Sequence, residues 1–362
     1  METQFYTALP FMLALIMGLF LTSSIIDLAK KMKLFDGNNH LKVHVEKVCS
    51  LGGIAIFAAF WVAFLLTGPT SGIAGEGHLF VGSFVLFLTG VKDDLVSIPA
   101  KKRLLIQLGV ASLLFFGGVQ LTQIPGMDFT FPLPVSYFLT IFLMGALVNA
   151  FNFIDGINGL AGGLAFIASL AFSLLFFMAG ANGLGFMALA LAGAVMGFLW
   201  FNFGKAKIFM GDNGSTFIGI ILSYFCVSFL NPDIQAGFAT PVSPVVLLAV
   251  LIVPLADLIK VVLSRLVRRQ SPFIGDRNHI HHLLERTGLG HRSICMRLFG
   301  WNIFVILFSL LLLPQNILLA CATIFVAGGL PYLALNIAAY FRKGKKPSNA
   351  QMNVRKGEEV FQ

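Results

Sequence analysis

Acidic residues recur in short stretches of a chain that is otherwise very apolar. Asp93 and Asp94 lie in VKDD, Asp155 in NFIDGING, Asp212 in FMGDNGS and Asp276 in GDRNHIHH. Two carboxylates held about 4 Å apart repel by a few kcal/mol at an effective dielectric near 20. Such a pair needs a cation, or one member needs a raised pKa. With Asp155 and Asp212 on the same side, an oxygen-rich Mg2+ site is expected. Mg2+ takes one or two carboxylates and leaves its other positions to waters and substrate phosphates. A solvated loop explains any one of these acids; it does not explain one in each tight loop.

Three further stretches carry polar chemistry. In Lys207–Ser215, Gly211 and Gly214 allow a tight turn into a helix. The free N–H groups of that helix suit an anion or a metal-bound phosphate, unless Asp212 or Asn213 simply caps it. Asn149, Asn152, Asp155 and Asn158 recur at three-residue spacing, which on a helix end lines one face. Beside Gly156 and Gly159 they can read a nucleobase edge or a sugar, or they hydrogen-bond neighbouring helices. In DRNHIHH, Arg277 stands beside His279, His281 and His282. These are metal ligands or donors that grip a pyrophosphate, and no HExxH pattern favours zinc hydrolysis. Pro254 should kink its helix. Asp257 and Lys260 beyond it sit at i,i+3 spacing, as a cavity wall, a support behind the site or a simple structural pair.

The elements that must position these residues follow from composition. The 362 residues are 57% hydrophobic and 11% charged, against about 45–50% apolar and 25% charged in soluble domains. This excludes a soluble enzyme, a disordered chain and a nucleic-acid-binding module, so no nucleic-acid partner is expected. An all-α polytopic membrane protein remains. Eleven apolar segments separate at roughly 5–26, 51–67, 79–91, 104–121, 135–153, 160–180, 184–202, 214–230, 243–264, 298–313 and 317–340. With the N-terminus outside, every Lys and Arg of the 25 except Lys260 falls in an inner loop or the tail. That is the asymmetry expected of cytoplasmic loops, and it puts the C-terminus inside. The first segment lacks a basic n-region and a small-residue cleavage site, so a retained span is expected. Residues 1–341 read as one transmembrane domain. Residues 342–362 read as a basic, disordered tail near lipid headgroups. Cys49, Cys226, Cys295 and Cys321 show no paired spacing and predict neither a disulfide framework nor a zinc site.

Taken in order, LFDGNNHLKVH, SLGGIAIF, GVKDDLVSIPAKKRLLIQ, NAFNFIDGINGLAGG, FLWFNFGKAKIFMGDNGST, PLADLIKVVLSRL and SPFIGDRNHIHHLL span about 30–340. Over that length the chain resembles the polyprenyl-phosphate N-acetylhexosamine-1-phosphate transferases of glycosyltransferase family 4. It is most similar to the branch that makes undecaprenyl-diphospho-N-acetylglucosamine. The resemblance implies a Mg2+-dependent enzyme, with Mn2+ as a substitute, whose active site faces the cytoplasm of a bacterial inner membrane. It moves a sugar 1-phosphate from a UDP-N-acetylhexosamine to undecaprenyl phosphate and releases UMP. It also implies a homodimer. By resemblance Asp212 is the metal ligand, and Asp93, Asp94 and Asp155 are the catalytic acids, the pair lying near the lipid phosphate. Asn152 lines the nucleotide and metal region; Asn202, Phe209, Gly156 and Asn158 fall around uridine, with Phe209 suited to stack on uracil. Lys101 and Arg103 match basic positions after the Asp pair. Arg277, His279, His281 and His282 match the loop that grips the diphosphate and sugar, with Asp257 and Lys47 in support. Asn158 stands where many members have Asp, Leu41 where an Arg is common, and Lys47 is shifted from the usual basic position. A muramoyl-pentapeptide donor is the rival within the family. Outside it, a secondary transporter would put its acids at mid-span, where only Asp257 lies.

Overall fold

The computed structural model describes residues 2–32, 48–68, 73–127, 129–238, 244–268, 279–313 and 316–343, with side chains from residue 7 to 332. Its fourteen described helices are α1 (Glu2–Met32), α2 (Gly52–Thr67), α3 (Glu76–Leu95), α4 (Ala100–Phe116), α5 (Leu133–Ile154), α6 (Leu160–Met178), α7 (Asn182–Asn202), α8 (Gly211–Phe229), α9 (Pro232–Gln235), α10 (Pro244–Val250), α11 (Ile252–Val267), α12 (Ile280–Glu285), α13 (His291–Leu311) and α14 (Ile317–Lys343). The one β feature among the described residues is an isolated bridge between Gln123 and Thr130. Each expected apolar segment coincides with a helix, and 243–264 is divided between α10 and α11. Five helices are long and apolar enough to cross a membrane: α1, α5, α6, α7 and α13. A sixth span results if the bent pair α10 and α11 counts as one. The protein is therefore a polytopic, all-helical membrane protein.

α8 is the centre of the bundle. Every residue from Asn213 to Val227 is buried, packed by α2, α3, α5 and α6. Its start is gripped between two glycines. A Cβ at Gly53 of α2 would collide with the Gly214 backbone and the Asn213 side chain, and one at Gly90 of α3 with the Asp212–Asn213 backbone. Small residues let helix backbones approach where lipid gives no hydrophobic drive for association. The α1–α7 contact uses the same device through Gly18, Gly193 and Gly197.

The expected kink is present, one turn before its cause. α10 and α11 meet at 76°, with Leu251 between them. Pro254 has no N–H, and its ring crowds the carbonyl four residues back. That carbonyl is Val250 O, and Asn302 Nδ2 of α13 donates to it at 3.4 Å and to Ala249 O at 2.9 Å. The carbonyl freed by the proline thus finds a buried partner on another helix, as backbone in lipid must.

The glycine grip on α8 gives a prediction. Gly53→Ala or Gly90→Ala forces the α8 start away from its neighbours, at about 1–3 kcal/mol of overpacking. Both variants should melt at lower temperature in detergent than wild type. Gly109→Ala, whose Cβ meets nothing within 4 Å, should not. Equal melting of all three would remove the close approach as a constraint.

Candidate active site

The C-terminal turn of α3 and the first turn of α8 are joined by one carboxylate. Asp94 Oδ1 accepts the Asp212 N–H at 2.9 Å. Its Oδ2 accepts the Asn213 N–H at 3.1 Å and Asn213 Nδ2 at 2.5 Å. Asn213 Nδ2 also donates to Ser50 O at 2.8 Å. The cap of this helix end is not the side chain of Asp212 or Asn213. An anion from another helix fills it, because α3 crosses at Gly90 close enough to reach.

With its backbone so fixed, Asp212 projects into a cluster. Arg103 Nη1, from the first turn of α4, lies 2.5 Å from Asp93 Oδ2 and 2.5 Å from Asp212 Oδ2. Asp93 Oδ1 also accepts the Ile98 N–H at 2.5 Å. Asn152 Nδ2 of α5 donates to Asp212 Oδ1 at 2.8 Å and to Ser215 Oγ at 3.0 Å. Burial pushes the Asp93 carboxyl up. The hydrogen bond with Asp212, the Ile98 N–H and the Arg103 guanidinium outweigh that and hold it below its usual range. Asp212 is pushed up to about 7 by burial and by Asp93, against Asn152 and Arg103. Asp155, the residue that ends α5, is also pushed up to about 7, by burial and then by the charges of Asp212 and Asp94. No hydrogen bond or ion pair is formed by the Asp155 carboxyl among the described residues.

Two carboxyls thus share one guanidinium, and Asp94 and Asp155 lie near enough for their charges to act on one another and on Asp212. Among the described residues no three His, Cys, Asp or Glu side chains converge as a ready-made metal cage. Mg2+ does not need one, since one or two carboxylates suffice when substrate phosphates complete the shell. Asp155, without a partner among the described residues, and Asp212, whose two oxygens meet Asn152 and Arg103, fit that requirement.

The asparagines do not share one face as expected. Three-residue steps drift by about 60° per step around a helix, and the four residues reach different neighbours. Asn149 Nδ2 donates to Gln107 Oε1 of α4 at 2.8 Å, Asn152 faces α8, and Asn158, past the helix end, donates to Gly204 O at 2.9 Å. Asn202 is buried and engaged on both sides. It accepts the Gly159 N–H at 2.7 Å and donates to Ile208 O at 2.8 Å, so it clamps the 155–159 turn to the 203–210 loop. In that loop Phe209 is tied through its backbone to Cys49 O and the Gly52 N–H, while the residue stays 37% exposed. Gly156 lies against the His281 ring, where a Cβ would collide. Lys101 is exposed on the first turn of α4.

The histidines are brought together and held from behind. His279 and His281 rings stack at 5.5 Å, and His281 and His282 lie 4.2 Å apart. Asp257, 0% exposed, accepts the Ile280 N–H at 2.8 Å and pairs with His279 Nδ1 at 2.6 Å and with the Tyr332 hydroxyl. Lys260, its expected partner, lies 5.4 Å over the Tyr332 ring. His282 Nδ1 meets Glu285 Oε2 at 2.9 Å, and His291 Nε2 meets Glu285 Oε1 at 3.0 Å. His281 is 1% exposed and neither ring nitrogen has a hydrogen bond among the described residues. Burial, and then His282, push it down to about 4, so it stays neutral. Lys47, Asp276, Arg277 and the tail from 344 lie outside the described residues. Sequence reading missed Ser215, Glu285 and Tyr332. Ser215 stood inside the GDNGS stretch, and Glu285 stood at i+3 from His282. Nothing local in the sequence marks Tyr332.

Residues 77–230 match the family model described as Glycosyl transferase family 4. The chain is 33% identical over 274 residues to an Escherichia coli (strain K12) protein named undecaprenyl-phosphate alpha-N-acetylglucosaminyl 1-phosphate transferase, covering 73% of this chain and 72% of the relative. A Yersinia pestis protein of the same name is 32% identical over 275 residues, 73% of each. A Bacillus subtilis (strain 168) protein, named "Probable undecaprenyl-phosphate N-acetylglucosaminyl 1-phosphate transferase", is 30% identical over 331 residues, 90% of each.

The burial and crowding of Asp155 and Asp212 make stability depend on pH. Carboxyls whose folded pKa is raised bind more protons folded than unfolded between about pH 4 and pH 7, so their contribution falls as pH rises through that window. His281, lowered when folded, acts oppositely below its unfolded pKa, so the comparison must be with a variant. In EDTA, wild-type protein should lose more melting temperature between pH 6 and pH 8 than Asp155→Asn. Added Mg2+ should raise wild-type melting more at pH 8 than at pH 6. Identical pH profiles for the two proteins would mean that the folded protein does not raise the pKa of Asp155.

Proposed function

The chain belongs to glycosyl transferase family 4, and from that premise we propose that it transfers N-acetylglucosamine 1-phosphate from UDP-N-acetylglucosamine to undecaprenyl phosphate, giving undecaprenyl-diphospho-N-acetylglucosamine and UMP. The family makes it a glycosyl-1-phosphate transferase, an enzyme. The relatives' names supply the lipid acceptor and the transferred group. The observation that carries the reading is the bridge of Arg103 between Asp93 and Asp212, with Asn152 on the same carboxylate. It brings three separate polar motifs to one point, as a phosphoryl transfer requires.

In this reading a lipid phosphate oxygen bonds to the phosphorus that carries the sugar, and the P–O bond to UMP breaks. Lys101 and Arg103 draw in the acceptor phosphate, and Asp93, kept ionised, aligns it. Asp94 holds the α8 start so that Asp212 keeps its place. Asp212 and Asp155 would hold Mg2+ (or Mn2+), which supplies charge neutralisation for the diphosphate and the departing phosphate. Phe209 stacks on uracil, within a pocket shaped by Asn158, Asn202 and Gly156. His279, His282 and Arg277 grip the diphosphate and sugar, while His281 seals against Gly156. Lys47 supports the site from its loop. α1 to α8, the α10–α11 pair, α13 and α14 make eleven spans, with the N-terminus outside and the site facing the cytoplasm of a bacterial inner membrane, in a homodimer.

Purified protein given undecaprenyl phosphate, Mg2+ and a panel of UDP-sugars, including the muramoyl-pentapeptide donor, should form product with UDP-N-acetylglucosamine, read by lipid mass and UMP release. Phe209→Ala should raise the donor KM by up to about a hundredfold, the range for losing one stacked base. Asp212→Asn should cut turnover by at least about 10³-fold, since the ion's charge stabilisation is worth several kcal/mol. Product from the muramoyl donor alone would move the protein to that branch, and normal turnover by Asp212→Asn would displace the metal assignment.

Sidedness has its own measurement. Cysteines placed at Lys102 and Arg286 should react with an impermeant maleimide only after the cells are opened. Labelling of either in intact cells would reverse the orientation.

A further inference from the structure

The family reading accounts for a histidine loop but not for what sets the angle of its rings. His279 is confined on its faces. Phe153 stands 5.8 Å away and nearly perpendicular, and His281 stacks at 5.5 Å. Those contacts leave rotation about the ring's own attachment open, and a half-turn would exchange Nδ1 for a carbon. Among the described residues, only the Asp257 carboxylate opposes that half-turn, through Oδ2 at 2.6 Å from Nδ1.

Asp257 is fully buried, and a buried carboxylate stays charged only when donors surround it. It has three. Oδ2 faces His279 Nδ1, and Oδ1 accepts both the Ile280 N–H and the Tyr332 O–H. Two of them come from the loop being held, and the third comes from α14, 75 residues along the chain. An ionised carboxylate only accepts, so the hydrogen between it and His279 sits on Nδ1. That leaves Nε2 as the ring's remaining polar atom. Without the Tyr332 hydroxyl, Asp257 is more easily neutralised, and a neutral Asp257 no longer demands hydrogen on Nδ1.

We propose that Tyr332 is a positioning residue for the transfer: acting through Asp257, it fixes the ring orientation and tautomer of His279 so that Nε2 faces the donor diphosphate. This rests on the transferase reading above for what Nε2 meets, but the orientation of the ring can be observed without any substrate. It also assigns a task to α14, whose sequence carries none of the motifs.

The test uses the full-length protein in nanodiscs with ¹⁵N-labelled histidine, His279 being assigned by its absence in His279→Asn. At a pH where the ring is neutral, wild type should show its hydrogen on Nδ1 alone. Tyr332→Phe should show mixed tautomers and a fall in kcat/KM for the donor of about tenfold, the effect of losing one hydrogen bond to a charged group. In a His279→Asn background, Tyr332→Phe should cost nothing more, because its effect passes through that ring. Additive loss in the double variant, or a wild-type tautomer with hydrogen on Nε2, overturns the proposal; the second outcome needs no variant to fold. If no UDP-sugar supports transfer while the tautomer responds to Tyr332→Phe, positioning stands and the functional reading falls.

Discussion

The site depends on the capture of the α8 N-terminus by Asp94. A helix start leaves N–H groups without intrahelical partners, and here two of them, on Asp212 and Asn213, are given to a carboxylate from α3. The geometry is possible only because Gly90 and Gly53 let α3 and α2 approach α8 to backbone contact. The consequence reaches the chemistry. Asp212 cannot shift along α8's axis without breaking its own N–H contact, so its carboxylate is held where Arg103 and Asn152 meet it.

The cluster that results is out of electrostatic balance, and by design of its helix ends. Asp93 and Asp94 come from the last turn of α3, Asp155 ends α5, and Asp212 sits on the first turn of α8. Arg103 offsets part of that charge by bridging two of them. Burial first, and then the remaining charge, raise the proton affinity of Asp155 and Asp212. A protein that only needed a stable bundle would gain by neutralising the surplus. A protein that receives a divalent cation with its anionic substrate gains by leaving it.

Much of this was legible in the sequence. The apolar segments gave the helices, because lipid allows few alternatives to a helix. The motifs gave the convergent residues, since acids and asparagines inside so apolar a chain need partners. What could not be read was which partner each would find. Asp94 looked equivalent to Asp93, yet one caps α8 and the other meets Arg103 and Ile98. Asn202 looked like a reader of uridine and is spent on backbone. The kink was placed by Pro254, but its rescue by Asn302 lay 48 residues further on. Spacing along a chain fixes the face of a helix; it does not fix which other helix that face will meet.

The same facts rank the acids by what they are free to do. Asp94 and Asp257 have both oxygens occupied by donors that belong to the fold, so their charge holds other groups in place. Asp93 and Asp212 share one guanidinium, and a phosphate arriving there would compete for it. Asp155 has no donor at all among the described residues, and it sits at the end of α5 where burial, and then two other carboxylates, raise its pKa. A group in that position is the one whose state must change most when positive charge enters. The acid that contributes least to the resting structure is therefore the one whose environment points most directly to a cation.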